Sequence, residues 1–192
     1  MIKNFIVVFV TLVLGSSTFA QKAEVRPYTI ATTFEKYKKE YPFIEQIQSF
    51  ASENVIAEED IVYKKTATSN LKLDIYCPKI SSEEKWPAVL LIHGGGWISG
   101  SKENLRILAQ HLAESGFVAI TAAYRLSREA VYPAGVIDLK DALRWIKSNS
   151  ENYNIDSNKI AILGTSSGAQ LATLVGVTPN AEIYNEQHEA IS

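Results

Sequence analysis

Between residues 88 and 176, short unbroken apolar runs alternate with stretches of helical period, and few folds accept that alternation. The runs are AVLLI (88–92), FVAITAAY (117–124) and KIAIL (159–163). Helix-period segments lie between them at 103–115 and 134–148, and a third follows at about 167–176. In the first of these Leu105, Leu108 and Leu112 share a face; in the second Val136, Leu139, Leu143 and Ile146 form a stripe. A strand that is apolar at every position is covered on both faces, and strand–helix–strand order puts helices there. The pattern predicts an α/β fold with a mostly parallel sheet and helices on both faces. Ahead of it, IVYKKTATSNLKLDIYCP (61–78) holds two runs about Ser69 and Asn70, with Leu71, Leu73 and Ile75 alternating with polar residues. That predicts an N-terminal antiparallel hairpin with one buried face.

The flanks carry weaker signals. Residues 1–20 combine Lys3, an apolar run from Phe5 to Leu14, and small residues with Thr18 and Ala20 at cleavage positions. They predict a secretory signal peptide, too short in its apolar part to span a bilayer, and so a secreted or periplasmic product with no stable membrane insertion after cleavage. Residues 21–60 mix Lys and Glu with aromatics, and are expected to form a helical extension of two short pieces, the second beginning near Pro42. The tail after Val177 reads as loop or fraying helix. At 192 residues one domain is expected, and a formal net charge of −2 excludes a nucleic-acid field or a polybasic membrane patch. The single cysteine, Cys77, cannot close an internal disulfide. With so few cysteines and histidines no metal site is expected.

Two glycine-rich turns follow two of the apolar runs. Gly164-Thr165-Ser166-Ser167-Gly168 fits G-x-S-x-G, the strand-to-helix elbow that lifts a serine hydroxyl above a sheet. As a bare pattern it also describes an ordinary turn. His93-Gly94-Gly95-Gly96-Trp97 follows AVLLI, and three successive glycines let backbone N–H groups turn toward an oxyanion. A phosphate or dinucleotide loop is the competing reading. Ser101 stands where a P-loop requires lysine, and Ser99 where G-x-G-x-x-G requires its last glycine. In a parallel sheet both turns meet at the carboxyl edge, where open α/β sheets place their sites.

The segments LDIYCP, PAVLLIHGGGW, AAYRLSREAVYPAGVIDLKDALRWIKSN and NIDSNKIAILGTSSGAQLA resemble the α/β-hydrolase superfamily, most closely its esterase/lipase group with an HGGGW loop, including acetyl xylan and feruloyl esterase-like enzymes. The likeness runs from about Ile61 to Val177. It implies hydrolysis of carboxylic esters, small-molecule or glycan, without a cofactor. Ser166 would be the nucleophile, with the N–H groups of Gly95, Gly96 and Ser167 forming the oxyanion hole. Trp97 would line the pocket, and His93 would shape its loop without acting as base. The family order places an acid and then a histidine after later strands, and only 26 residues follow Ser166. His188 and Glu182, Glu186 and Glu189 match neither role. Asp138, Asp141 and Asp156 precede the serine and are expected on helix surface or in turns, as is His111. The likeness therefore implies an incomplete α/β-hydrolase fold, with residues 61–192 its N-terminal part, KIAIL left as a sheet edge, and little esterase activity from these residues alone. A non-catalytic binding protein on a hydrolase scaffold, or a peptidase or amidase of the same fold, remain the alternatives.

Overall fold

Burial at every position from Ala88 to Ile92 makes that run an interior strand of the sheet. A computed structural model describes residues 26–48, 52–80 and 82–184; the expected leader, Glu186, His188 and Glu189 lie outside the described residues. In chain order the elements are α1 (Ile30–Lys38), β1 (Val55–Lys65), β2 (Asn70–Pro78), β3 (Trp86–Ile92), α2 (Arg106–Glu114), β4 (Val118–Ala122), α3 (Ala134–Ser148), β5 (Ile155–Gly164) and α4 (Ser167–Val177). The sheet order is β1-β2-β4-β3-β5. β3 pairs in parallel with β4 and β5, and β2 runs antiparallel to both its neighbours. The sheet is thus mostly parallel with an antiparallel hairpin leading in, as the sequence pattern predicts.

Alternation along the strands sends side chains into two layers. Leu90, Ile92 and Ile120 pack toward Val136, Ile137 and Leu139 of α3 and toward Leu171 and Val175 of α4. Val89, Leu91 and Ala119 pack on the opposite face with Leu105, Ala109 and Ala113. Each fully buried Leu or Ile contributes about 1.5–3 kcal/mol, so this double cover holds the carboxyl ends of β3 and β5 in fixed relation. The stripe on α3 falls where the periodicity places it. Leu105, just before α2, is buried and Leu112 packs against the same cluster, as the stripe places them, beside Ala109 and Ala113; Leu108 instead is 38% exposed, lining a groove with Ile30 and Phe34 of α1. Small alanines let α2 lie close to the sheet, and the larger leucine turns aside.

Three other expectations are corrected. β2 is buried on both faces from Leu73 to Tyr76, because it is an interior strand between β1 and β4. The second helical piece expected near Pro42 is a turn followed by irregular chain. β1 begins at Val55, inside the stretch read as helical, because Val55 through Lys65 pair with β2. The helical reading rested on a Lys/Glu mixture, which is composition and not period. As an outer strand β1 carries Glu58, Glu59 and Asp60 at a register shift, with Asp60 at φ 61. A charged, bulged edge resists pairing with another chain.

A further correction is Asp138, which is fully buried and not on a helix surface. Its carboxylate accepts from Arg125 Nε at 2.8 Å, from Arg125 NH2 at 2.8 Å and from the Arg125 backbone N–H at 3.0 Å, with Lys64 Nζ at 3.0 Å. It ties β1, the chain leaving β4 and α3 together. Asp141 is partly buried and pairs with Lys64 at 2.7 Å, whereas Asp156 lies in β5 and not in a turn, at the register shift with β3, and accepts from the Asn158 N–H. The tail is also fastened: Tyr184 is buried and its hydroxyl lies 2.7 Å from that of Tyr132. Removing one partner of a buried ion pair costs about 3–5 kcal/mol, because the other charge is left unpaired. Asp138→Asn is therefore expected to lower the urea midpoint of the purified chain by an amount near 3 kcal/mol, with Asp156→Asn leaving it unchanged; equal effects of the two would contradict this role for Asp138.

Candidate active site

β5 ends at Gly164, α4 begins at Ser167, and Ser166 between them has φ 52 and ψ −123. A non-glycine residue in such a conformation stores about 1–3 kcal/mol and persists only where its surroundings hold it. Here the hold is a close approach of backbones. A side chain at Gly168 would place its Cβ 2.4 Å from the Ile92 carbonyl oxygen and 2.5 Å from that of His93. The Thr165 N–H donates to Ile92 O at 3.1 Å. The elbow is thus fastened to the end of β3, where the glycine loop starts.

That loop lies directly against the elbow. A Cβ at Gly94 would stand 3.0 Å from Ser166 Cβ and 2.7 Å from Thr165 O. Gly95, Gly96 and Trp97 follow with φ values of 121, 64 and 62, and Gly95 O accepts from the N–H groups of Ile98 and Ser99. The Gly96 N–H donates to Ser167 Oγ at 2.9 Å, so it already has a partner. The N–H groups of Gly95 and Ser167 have none among the described residues. Neither does the Ser166 hydroxyl.

His93 heads the loop and is buried. Its Nδ1 lies 2.8 Å from Gly94 O; a carbonyl only accepts, so Nδ1 carries the proton. The ring stacks on Tyr124 at 4.5 Å between centroids, and the Tyr124 hydroxyl donates to His93 O at 2.9 Å. Burial holds the His93 pKa below 6.5, opposed by the bond to Gly94 and by Glu103. Its packing suits a residue that shapes the loop. The far end of the loop is pinned by Lys102, whose ammonium reaches Asp74 Oδ1 at 2.7 Å, Glu103 Oε1 at 3.0 Å and Asp60 Oδ1 at 3.2 Å. Burial alone would lower the Lys102 pKa, but hydrogen bonds to Asp74 and Glu103 raise it above its ordinary value.

Two cavities flank the loop. One, of about 400 Å³, is walled by Trp97, Tyr124, Tyr132, Val136, Leu171 and Leu174; Trp97, 44% exposed, is part of its lining. The other, of about 530 Å³, contains Ser166, Gly95 and Gly96 on one side and residues of α1 and the chain before it on the other. Ser166, Ser167, Gly95, Gly96 and Trp97 are thus brought together. His111 lies on α2 with its side chain 59% exposed, against Glu114, and Glu182 is exposed in a short turn. The wall from α1 and the Lys102–Asp74 anchor were not read from sequence. Asp74 did carry a signal, a lone acid inside the apolar run LDIY.

Strand order, elbow and glycine loop together define an α/β-hydrolase of the esterase group. Residues 73–192 match the BD-FAE family, and the chain belongs to it. It is 37% identical over 123 residues to the probable carboxylic ester hydrolase LipM of Mycobacterium tuberculosis, covering 63% of this chain and 28% of that protein. It is 31% identical to arylacetamide deacetylase of Bos taurus, over 72% of this chain and 35% of that protein. Among solved structures, the thermophilic esterase Est2 of Thermogutta terrifontis matches with a TM-score of 0.57 and 36% identity, over 62% of this chain and 43% of that one. The chain therefore spans about a third of the length of these curated relatives.

The burial of His93 sets a pH dependence. Its folded pKa is depressed, so on acidification below 6.5 the unfolded chain takes up a proton that the folded chain resists, and stability falls until the folded pKa is passed. We expect the His93 ring protons to titrate by NMR with a midpoint below 6.5, and unfolding midpoints to decline as the pH falls below 6.5. A His93 midpoint at or above 6.5 would contradict the buried, neutral ring.

Proposed function

We propose that this chain carries the nucleophile and oxyanion-binding part of a secreted serine hydrolase acting on carboxylic esters, small-molecule or glycan. The observation that supports this reading most directly is Ser166 at φ 52, held beside the unpartnered N–H groups of Gly95 and Ser167. Ser166 Oγ attacks the ester carbonyl carbon, and the carbonyl oxygen becomes an oxyanion between those two donors, each contributing about 3 kcal/mol in the transition state. The Gly96 N–H, bonded to Ser167 Oγ, keeps loop and elbow in register. The tetrahedral intermediate expels the alcohol, leaving an acyl-enzyme that water hydrolyses. No cofactor enters the reaction.

A base must accept the Ser166 proton and return it to the leaving alcohol, and an acid must orient that base. Ser166 has no hydrogen bond to His93 or His111. We assign base and acid to polypeptide outside residues 26–184. β5, the outer strand of the described sheet with Leu163 39% exposed, offers the edge on which such strands would pair. The small share of each relative that this chain covers supports the same reading. The signal-peptide pattern at 1–20 supports export.

Ser166→Ala in the full-length protein is expected to reduce hydrolysis of 4-nitrophenyl acetate by at least about 10³-fold. A fluorophosphonate probe is expected to label Ser166 by mass spectrometry and nothing in the alanine variant. Retained turnover in Ser166→Ala would overturn the assignment of the nucleophile. Ligand binding without turnover in the intact wild type would favour the non-catalytic scaffold, and faster cleavage of aminoacyl anilides than of esters would favour a peptidase or amidase.

A further inference from the structure

The cavity that contains Ser166 has an uneven charge. Its outer wall is supplied by Arg26, Tyr28, Thr33, Lys36 and Tyr37, and no Asp or Glu lines it. The chain as a whole carries a net charge of −2, yet the two charged residues at this cavity are both cations. Neither forms an ion pair among the described residues; Lys36 Nζ instead stands 5.1 Å from the centre of the Tyr37 ring. The phenols of Tyr28 and Tyr37 are likewise uncommitted to any described acceptor. The second cavity, beyond the loop, is walled by aromatic and aliphatic side chains and lacks Ser166.

The wall is held in place by its own local chemistry. Thr29 caps α1 in a reciprocal pair with Thr32, and the Asn104 side-chain amide donates to Tyr28 O at 2.8 Å. That second bond ties the segment to the turn that ends the glycine loop. Both cations, exposed to solvent, line the same cavity as Ser166.

We propose that this cavity receives a carboxylate borne by the ester substrate, with Lys36 and Arg26 as the specificity-determining residues. The inference rests on the esterase reading above for the identity of the reacting bond, but the anion site itself does not require turnover. Unpaired cations gain a partner when a carboxylate enters, and the phenols supply further donors. A neutral group of the same shape gains none of this, and a cationic one is repelled.

The test uses the full-length protein and two matched pairs of esters: 4-nitrophenyl hydrogen glutarate against 4-nitrophenyl valerate, which place the charge on the acyl side, and 3-carboxyphenyl acetate against phenyl acetate, which place it on the alcohol side. In one pair the carboxylate member is expected to show about a fivefold or greater advantage in kcat/KM, a magnitude in line with partly exposed charge pairs. Added 0.5 M NaCl is expected to shrink it. Lys36→Met combined with Arg26→Met is expected to bring that ratio toward one. Independently, the Ser166→Ala protein is expected to bind glutarate more tightly than glutaramide by calorimetry, with that difference lost in the double methionine background. If no ester is turned over, the nucleophile reading fails, and the calorimetric difference still decides the anion site. Equal binding of glutarate and glutaramide, or a ratio unmoved by the two methionines, would overturn the proposal.

Discussion

The site depends on how closely two strand ends approach. β3 and β5 are parallel neighbours, and each leaves the sheet through a glycine-bearing turn at the same edge. The backbone of α4 at Gly168 sits so near the carbonyls of Ile92 and His93 that no side chain fits between them. This contact does two things at once. It holds Ser166 in a conformation that a free chain would leave, and it sets the glycine loop directly against the elbow. In the esterase reading proposed above, fastening of this kind would ready backbone donors before any substrate arrives, because no reorganisation is left for the moment of reaction.

Buried charges complete the fastening where apolar packing does not reach. Lys102 and Asp74 anchor the exit of the glycine loop to β2, and Arg125, Asp138 and Lys64 anchor the exit of β4 to α3 and β1. In both clusters the buried carboxylate, Asp74 or Asp138, is met by more than one donor. That is the condition under which a buried charge is tolerated. The two clusters lie on opposite faces of the sheet, so the loops at its carboxyl edge are braced from above and below.

How much of this was readable in the residues varies with the kind of signal. The strand AVLLI and the stripe on α3 were legible because period and burial coincide there, whereas KIAIL was legible as a strand although, on the outer strand, none of its residues is buried. α2 was legible as a helix and in the placing of Leu105 and Leu112 but not of Leu108, since Ala109 and Ala113 bury as well as leucine and permit closer packing. β1 was read too short: its first half, Val55–Asp60, ends in three acids and owes its extended form to β2, a partner that no local pattern announces. Ser166 and the glycines were legible because steric demands restrict those positions to a few residue types. Asp138 looked like a surface acid because its spacing along α3 says nothing of Arg125, which arrives from another segment. The α1 wall was not legible at all, because its residues meet the site only through the fold.

α1 buries none of its own residues. It is a single capped helix of nine residues, about two and a half turns, laid beside a tightly packed sheet, so its local opening free energy lies well below that of the core. A barrier this shallow separates selection from construction. Under the reading proposed above, the residues that would choose a substrate can be altered or swung outward without disturbing the strands that hold Ser166, which makes α1 the described element with most freedom to change.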